Sequence, residues 1–156
     1  MTPRRLGMPA ARRAGAGDVA AIETLQRAAY ARNRILLGIE PIPLLADYAD
    51  IVARMEVWLF GPTQTLRGVL ALDPEPDALL IWSLASAPSA QGAGLGGAML
   101  DFAQARGRAL GLPRIRLYTG EKFGANVDWY RRRGFAIDRR EQLADRSIVH
   151  MSKRLD

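Results

Sequence analysis

The stretch with the clearest chemical potential is the glycine-rich segment 91–98, which reads QGAGLGGA and holds four glycines within six residues. It directly precedes a helical pattern of apolar residues that begins at Leu95. The first amide hydrogens of a helix have no carbonyl partners, and the helix dipole adds about half a positive charge there. Glycines allow an anion to approach this backbone without meeting a Cβ atom. The segment therefore favours a phosphate-binding turn over the alternative, a tight turn packed against a sheet.

The glycine spacing alone does not identify the phosphate. Gly92, Gly94 and Gly97 also satisfy the dinucleotide pattern G-x-G-x-x-G. That pattern requires an opening βαβ unit and an acidic residue about 20 positions downstream, and segment 112–118 (LPRIRLY) holds no acidic residue. The P-loop pattern fails too, because no Gly-Lys-Ser/Thr is present. Both nucleotide interpretations are therefore disfavoured.

The composition narrows the chemistry further. With 156 residues, 49% of them hydrophobic and 24% charged, the sequence predicts one globular domain over 1–156. The absence of cysteine excludes a disulfide framework, a thiolate-bound metal and a catalytic thiol. His150 is the single histidine, so nearly every histidine-based metal site is excluded, and no G-x-S-x-G nucleophile turn occurs. We expect no metal.

The net charge is +6, from 22 Lys and Arg against 16 Asp and Glu, and all the cations except Lys122 and Lys153 are arginines. Arginine suits nucleic acid, an anionic membrane or a phosphorylated cofactor, although GC-rich codons also produce such a composition. No basic motif interleaved with aromatic residues supports nucleic-acid binding. No apolar run approaches the roughly 20 residues of a membrane span, and 1–17 lacks a signal-peptide core. We expect a cytoplasmic protein with no nucleic-acid or membrane partner, and disorder over 1–7.

Apolar periodicity and turn residues predict an α/β chain. Before the glycine segment, we expect a helix from an N-cap at Asp18 to about Arg34, a short helix over 45–55, and an antiparallel meander of strands at 56–60, 65–72 and 78–85. After it, we expect a helix over 95–110 that buries Leu95, Met99, Phe102 and Ala105, a strand at 114–118, a helix over 126–133, and strands at 135–140 and 147–154. The sum is a mixed sheet of six or seven strands with about four helices.

Two motifs resemble those of the GCN5-related N-acetyltransferases (GNAT). The run LASAP at 84–88, followed by QGAGLG at 91–96, is similar in order and spacing to the family's acetyl-CoA loop, Q/R-x-x-G-x-G/A after a strand. The run NVDWY at 126–130, followed by Gly134 and Phe135, is similar to its second cofactor element. The ending 150–155 resembles the closing strand of bacterial members, so the likeness covers about 12–155. Ser86 departs from the valine that is usual there.

The resemblance implies a GNAT fold in which strands 4 and 5 splay apart and acetyl-CoA binds between them. It implies that the backbone of Leu84 and Ser86 pairs with the pantetheine arm and that Gln91 braces the loop. The amides that would hold the pyrophosphate are those of Gly92, Gly94, Gly96, Gly97 and Ala98. Asn126 and Tyr130 are four residues apart, so on a helix they share a face, and the resemblance implies that this face is directed at the thioester. Tyr130 would donate a hydrogen bond to the leaving thiolate; otherwise it is a packed aromatic beside Trp129.

The sequence does not identify a general base. Three carboxylates, Glu40, Asp47 and Asp50, lie in the region 30–55 where family members build the acceptor pocket, and Tyr30 and Tyr48 are close by in sequence. Trp82 and Ser83 could line the site or belong to the core. The arginines at 131–133, 139 and 140 could meet the CoA phosphates or form a solvated face.

The leading hypothesis is an N-acetyltransferase that moves an acetyl group from acetyl-CoA to a primary amine of a small molecule, amino acid or peptide. The alternative is a catalytically silent CoA-binding sensor or interaction module of the same fold. A homodimer is left open.

Overall fold

The computed structural model describes residues 10–156, so the disorder expected over 1–7 lies outside the described residues. The strands are β1 (Ala11–Arg13), β2 (Glu56–Phe60), β3 (Gly68–Pro74), β4 (Leu79–Ser86), β5 (Arg114–Gly120), β6 (Ala136–Gln142) and β7 (Ser147–Arg154). The helices are α1 (Val19–Leu37), α2 (Ile42–Leu45), α3 (Tyr48–Arg54), α4 (Leu95–Ala109) and α5 (Gly124–Arg131).

The strands form one seven-stranded sheet in the order β1-β2-β3-β4-β5-β7-β6. Strands β4 and β5 pair in parallel, and the other neighbours pair antiparallel. The predicted mixed sheet and the predicted meander, β2-β3-β4, are confirmed. The parallel pair requires a crossover, and the crossover consists of the glycine-rich segment and α4.

The predicted elements differ from the structure mainly at short or irregular segments. Strand β1 was not predicted, because three residues are too few to show alternation. The short helix expected over 45–55 is α3, which begins only at Tyr48, because Ala46 and Asp47 have extended backbone angles and separate it from α2. Strand β3 begins at Gly68 rather than residue 65, because Thr63–Thr65 form a 3-10 turn.

Each face of the sheet carries its own apolar core. Helix α4 covers one face, and α1 and α3 cover the other. On α4 the expected burial of Leu95 and Met99 is confirmed, Phe102 is half-buried, and Ala105 is exposed, so the expectation for Ala105 is wrong. The buried stripe instead includes Leu100 and Ala103, which lie one residue further round the helix.

A β-bulge in β4 marks the place where the sheet opens. Ala71 pairs with Ser83, and Leu72 pairs with Ile81, so Trp82 is the extra residue. The β4–β5 pairing ends at Ile81, after three residues, and beyond it the two strands separate. A bulge bends its strand and increases the local twist, so the rest of β4 is directed away from β5. The splay predicted from the family resemblance is therefore present.

Asp18 precedes α1 as expected, but its side chain does not cap that helix. Its carboxylate accepts hydrogen bonds from the Arg12 guanidinium (2.9 and 3.2 Å), from the Gly15 amide (2.8 Å) and from Thr63 (3.3 Å). These bonds join β1 to the start of α1. They lower the pKa of Asp18 to about 2, the Arg12 bonds being the largest cause.

We expect Asp18→Asn to lower the free energy of unfolding by about 1–2 kcal/mol at pH 7, because the amide loses a charge-assisted bond and gains no partner. The depressed pKa means that this stabilisation is present above the unfolded value of 3.8 and is lost as pH falls toward 2. Urea unfolding of both proteins at pH 7, 4 and 3 measures the difference. Asp101→Asn, on the exposed side of α4, is the control. A difference as large at pH 3 as at pH 7 would contradict this role of Asp18.

Candidate functional site

A groove of about 1120 Å³ lies where β4 and β5 separate. One wall comes from β4 beyond Ile81 and from the glycine-rich segment with the first turn of α4. The opposite wall comes from the end of β5, from α5 and from the C-terminal half of α1. The groove therefore runs through the opening in the sheet and reaches both of its faces.

The glycine-rich segment presents a row of free backbone donors to this groove. Within the described residues, the six consecutive amides from Gly92 to Gly97 donate to no acceptor with hydrogen-bond geometry. Gly92 and Gly94 have φ angles of +83° and +82°, which side chains rarely tolerate, and Gly94 is the N-cap of α4. The amide of Ala98 donates to the Gly94 carbonyl (3.1 Å), so it is the first internal bond of the helix rather than an open donor. The arrangement suits a phosphate group.

The exposed edge of β4 lies beside this row of amides. Leu84 and Ser86 pair with Leu70 and Gly68 of β3 on one side and have no strand on the other. Both line the groove, as does Gln91. The Gln91 side chain makes no hydrogen bond to any of the residues from 10 to 156, so no bracing contact is seen. An unpaired strand edge can accept an extended chain that carries amide groups.

Asn126 and Tyr130 both line the groove from α5. The Tyr130 ring packs edge-on against Trp129 (4.9 Å between centroids) and Phe135 (5.4 Å), which fixes its direction. Its hydroxyl forms no hydrogen bond within the described part of the chain. Burial raises the pKa of Tyr130 well above its ordinary value, with a further rise from Tyr30. Tyr130 is therefore a packed aromatic that also presents a neutral, unengaged hydroxyl to the groove.

On the α1 face, the groove is bordered by a polar network that depends on the bulge. Because Trp82 is an extra residue, both Trp82 and Ser83 face α1. The Ser83 hydroxyl receives a hydrogen bond from Gln26 Nε2 (3.1 Å) and lies 3.3 Å from the Tyr30 hydroxyl. Gln26 is fully buried, and its Oε1 has no partner. Burial raises the pKa of Tyr30 as well. The network holds Tyr30 against β4 at the edge of the groove.

The three carboxylates considered as general bases do not line the groove. Each has a partner in its own segment, and Tyr48 is likewise engaged, by the Pro43 carbonyl (2.6 Å). The partners are Arg34 for Glu40 (2.5 Å), the amides of Ala49 and Asp50 for Asp47 (3.0 and 3.3 Å), and Arg54 for Asp50 (2.8 Å). Of the expected pocket region 30–55, the part that lines the groove ends at Pro43.

The charged residues that line the groove are all basic: Arg32, Lys122, Arg132, Arg133 and Arg146. The Arg133 guanidinium lies 3.6 Å from the centroid of the Trp129 ring and donates to the Trp129 carbonyl (3.1 Å). Sequence reasoning identified the α5 arginines but missed Arg32, Arg146 and the lining residue Tyr118. These residues line the groove because segments that are distant in sequence meet there, and no local sequence pattern indicates which segments meet.

None of the helices in the described residues is long and apolar enough to cross a membrane. Residues 10–156 also contain no group of three or more His, Asp or Glu side chains that could hold a metal ion.

The sequence matches the family model described as "Acetyltransferase (GNAT) family" over residues 20–135. Among solved structures, it is similar to a GNAT-family protein from Desulfovibrio desulfuricans, with 18% identity, a TM-score of 0.76, and coverage of 94% of this chain and 99% of that one. The sequence is also similar to the PaiA N-acetyltransferase of Thermoplasma acidophilum, solved with coenzyme A, with 15% identity, a TM-score of 0.74, and coverage of 93% of this chain and 98% of that one. For the ribosomal-protein-S18-alanine N-acetyltransferase of Escherichia coli, the identity is 14%, the TM-score is 0.76, and the coverage is 94% of each chain. At these low identities, the TM-scores show a shared fold. Comparison with curated proteins finds no match.

A charge placed at Gly97 tests the row of amides. A Cβ at Gly97 would meet no atom within 4 Å, and a carboxylate in the first turn favours the helix. We expect Gly97→Glu to keep or raise the melting temperature but to weaken CoA binding by ~10-fold or more, about 1.4 kcal/mol, through repulsion of the phosphates.

Gly97→Gln is the control, because it has the same size without the charge. Calorimetric titration of CoA into both variants separates the effect of side-chain size on CoA affinity from the effect of the negative charge. Equal affinity of the two variants would mean that the phosphates bind elsewhere.

Proposed function

The chain belongs to the GNAT acetyltransferase family, and from this premise we propose that it transfers an acetyl group from acetyl-CoA to a primary amine. The amine would belong to a small molecule, an amino acid or a peptide. One observation carries the proposal: the same groove is lined by Tyr130, by the free edge of β4 and by every residue with an unpartnered amide in 92–97 except Ala93.

The residues present fit coenzyme A. A diphosphate would accept from the amides between Gly92 and Gly97, and the pantetheine amides would pair with the β4 backbone at Leu84 and Ser86. Orphaned backbone donors and a strand edge without a neighbour are the groups that such a ligand satisfies. The Thermoplasma relative was solved in complex with coenzyme A, which supports this assignment. Ala98 is left out of the phosphate site because its amide is already bonded.

When bound, acetyl-CoA would supply an activated acetyl thioester: the amine nitrogen bonds to the carbonyl carbon, the carbon–sulfur bond breaks, and the proton lost by the nitrogen balances the free thiol. In our proposal Tyr130 donates a hydrogen bond toward the departing sulfur. Its raised pKa keeps the phenol protonated, so it serves as a donor and not as a base. Asn126, one turn earlier on α5, would position the same end of the ligand.

The proton must leave an amine that is largely protonated at neutral pH. Within residues 10–156, the groove is lined by no carboxylate and no histidine. We propose that water accepts the proton. The five lining cations support this step, because a positive potential lowers the pKa of a bound ammonium group and favours the neutral nucleophile.

The relatives support an amine acceptor without identifying it. The Escherichia coli protein is a ribosomal-protein-S18-alanine N-acetyltransferase. The second candidate is a CoA-binding sensor without turnover, and the absence of a carboxylate base from the described groove favours it. A cytoplasmic location, a homodimer and a single domain over 1–156 stay predictions.

Two measurements test the proposal. Acetyl-CoA at about 100 times its dissociation constant should raise the free energy of unfolding by roughly 2.7 kcal/mol and so raise the melting temperature. Thiol release with a panel of primary amines should then show turnover. A melting shift without thiol release for any amine would favour the sensor, and no shift would contradict both candidates.

We expect Tyr130→Phe to lower kcat by ~100-fold or more, because the leaving sulfur loses its donor, while the dissociation constant of CoA changes little. Steady-state thiol release gives kcat, and calorimetry gives the dissociation constant. Tyr48→Phe is the control, since Tyr48 does not line the groove and its hydroxyl is already bonded to the Pro43 carbonyl. Equal losses in the two variants, or an unchanged kcat in Tyr130→Phe, would remove Tyr130 from the reaction.

A further inference from the structure

The groove has one sign of charge along its whole length. Five basic residues line it, and no Asp, Glu or His does so within the described residues. Three carboxylates that do not line the groove are paired with basic side chains that do not line it either: Glu75 with Arg116 (2.5 Å), Glu121 with Arg140 (3.1 Å) and Glu141 with His150 (2.7 Å). Nothing in the described groove would attract a second positive charge on an acceptor.

The cations that line the groove come from different parts of the fold. Arg132 and Arg133 follow Tyr130 at the end of α5, on the side of the glycine-rich segment. Arg32 belongs to α1, which covers the opposite face. Arg146 lies just before β7, where Ile148 pairs with Gly120 at the end of β5. The phosphates of CoA would account for Arg132 and Arg133. Of the three remaining cations, Lys122 is an exposed residue between β5 and α5, and Arg32 and Arg146 are left for the acceptor.

Arg146 is built as a recognition residue rather than a surface charge. Its side chain is only 8% exposed, although it lines the groove, and its partner Asp145 is 56% exposed. The Asp145 carboxylate accepts hydrogen bonds from Arg146 Nε (3.0 Å) and Nη2 (3.1 Å). Within residues 10–156, Arg146 Nη1 donates to no acceptor. A guanidinium that is held on one side by a carboxylate still offers the other side to an anion.

Arg32 adds a second cation without a carboxylate partner. It forms no ion pair or hydrogen bond with any residue that the structure describes, although Arg34, two residues later, pairs with Glu40. Both Arg32 and Arg146 therefore point to a negative group on the acceptor.

The surroundings of these cations are apolar. Leu36, Leu37, Ile42 and Trp82 line the same groove, and Leu36 is 63% exposed at its mouth. Contact with an apolar group of the acceptor would cover this surface.

We propose that the acceptor is a small amino carboxylate: an amine whose neighbouring carbon carries a carboxylate, with an apolar side chain. The carboxylate would bind Arg146 Nη1, with Arg32 beside it, and the apolar side chain would contact Leu36 and Ile42. This inference rests on the proposed acetyl transfer and specifies its substrate class. Polyamines and other acceptors with several positive charges are disfavoured by the same potential.

A matched set of acceptors tests the charge: L-phenylalanine, L-phenylalaninamide and phenethylamine, with the leucine and methionine counterparts. They keep the apolar part and the amine and change the group on the neighbouring carbon, so rates are compared at equal concentrations of the neutral amine. The amides stand in for a peptide N-terminus. We expect kcat/KM from thiol release to be ~10-fold or more higher for the carboxylates, about the effect of one charge-assisted hydrogen bond. Titration of the same compounds into the protein with CoA, where no acetyl group is present, measures acceptor binding apart from turnover.

Variants assign the effect to residues. Arg146→Gln and Arg32→Gln should each lower kcat/KM for the carboxylate by ~10-fold, with little change for the amide, and Arg146→Lys should restore part of the loss. Arg27→Gln is the control: it removes the same charge from an exposed position of α1 that does not line the groove. If Arg146→Gln does not fold, Arg32→Gln still tests the proposal, because Arg32 is exposed and its substitution should leave the fold intact.

The outcomes separate this inference from the proposed function. Thiol release that prefers phenethylamine or the amides would overturn the inference while the acetyl transfer stands, and a preference for the amides would indicate a peptide acceptor. Carboxylate rates that fall equally in Arg27→Gln would also overturn it. No thiol release with any acceptor would be a failure of the proposed function itself.

Discussion

The parting of β4 from β5 is the constraint on which the rest of the site depends. Trp82, as the extra residue of the bulge, turns β4 away after three paired residues. A sheet that opens in its interior leaves backbone groups without partners, and such groups carry a free-energy cost unless water or a ligand satisfies them. The glycine-rich segment and the first turn of α4 together add six amides in the same condition. The fold therefore keeps a set of backbone donors that an extended, phosphorylated ligand can use.

The same bulge also shapes the acceptor side. It turns Trp82 and Ser83 toward α1, where Gln26 and Tyr30 meet the Ser83 hydroxyl. One irregularity thus shapes both the free edge of β4, where we propose that the cofactor binds, and the proposed acceptor side. Catalytic side chains are sparse by comparison, since Tyr130 offers a hydroxyl and the described groove contains no carboxylate. In such a site, positioning and a positive potential would contribute most of the chemistry.

The sheet and its helices could be predicted largely from local pattern. The meander, α4 and β7 follow from periodicity and turn residues, and the family likeness of the glycine-rich segment correctly placed the splay. The errors lie where local pattern is weak. Strand β1 has three residues, the helix expected over 45–55 begins only at Tyr48, and Asp18 bonds Arg12 instead of capping α1. In each case a tertiary or turn contact outweighs the local propensity.

The sequence by itself determined the family, the glycine-rich segment and the pairing of Asn126 with Tyr130, because those signals are contained within one element. The tertiary structure alone decided which charges share the groove. It excluded Glu40, Asp47 and Asp50, each engaged within its own segment, and it brought in Arg32 and Arg146 from opposite ends of the chain. Electrostatic potential depends on distance in space, and the order of residues along the chain does not encode that distance until the sheet has formed.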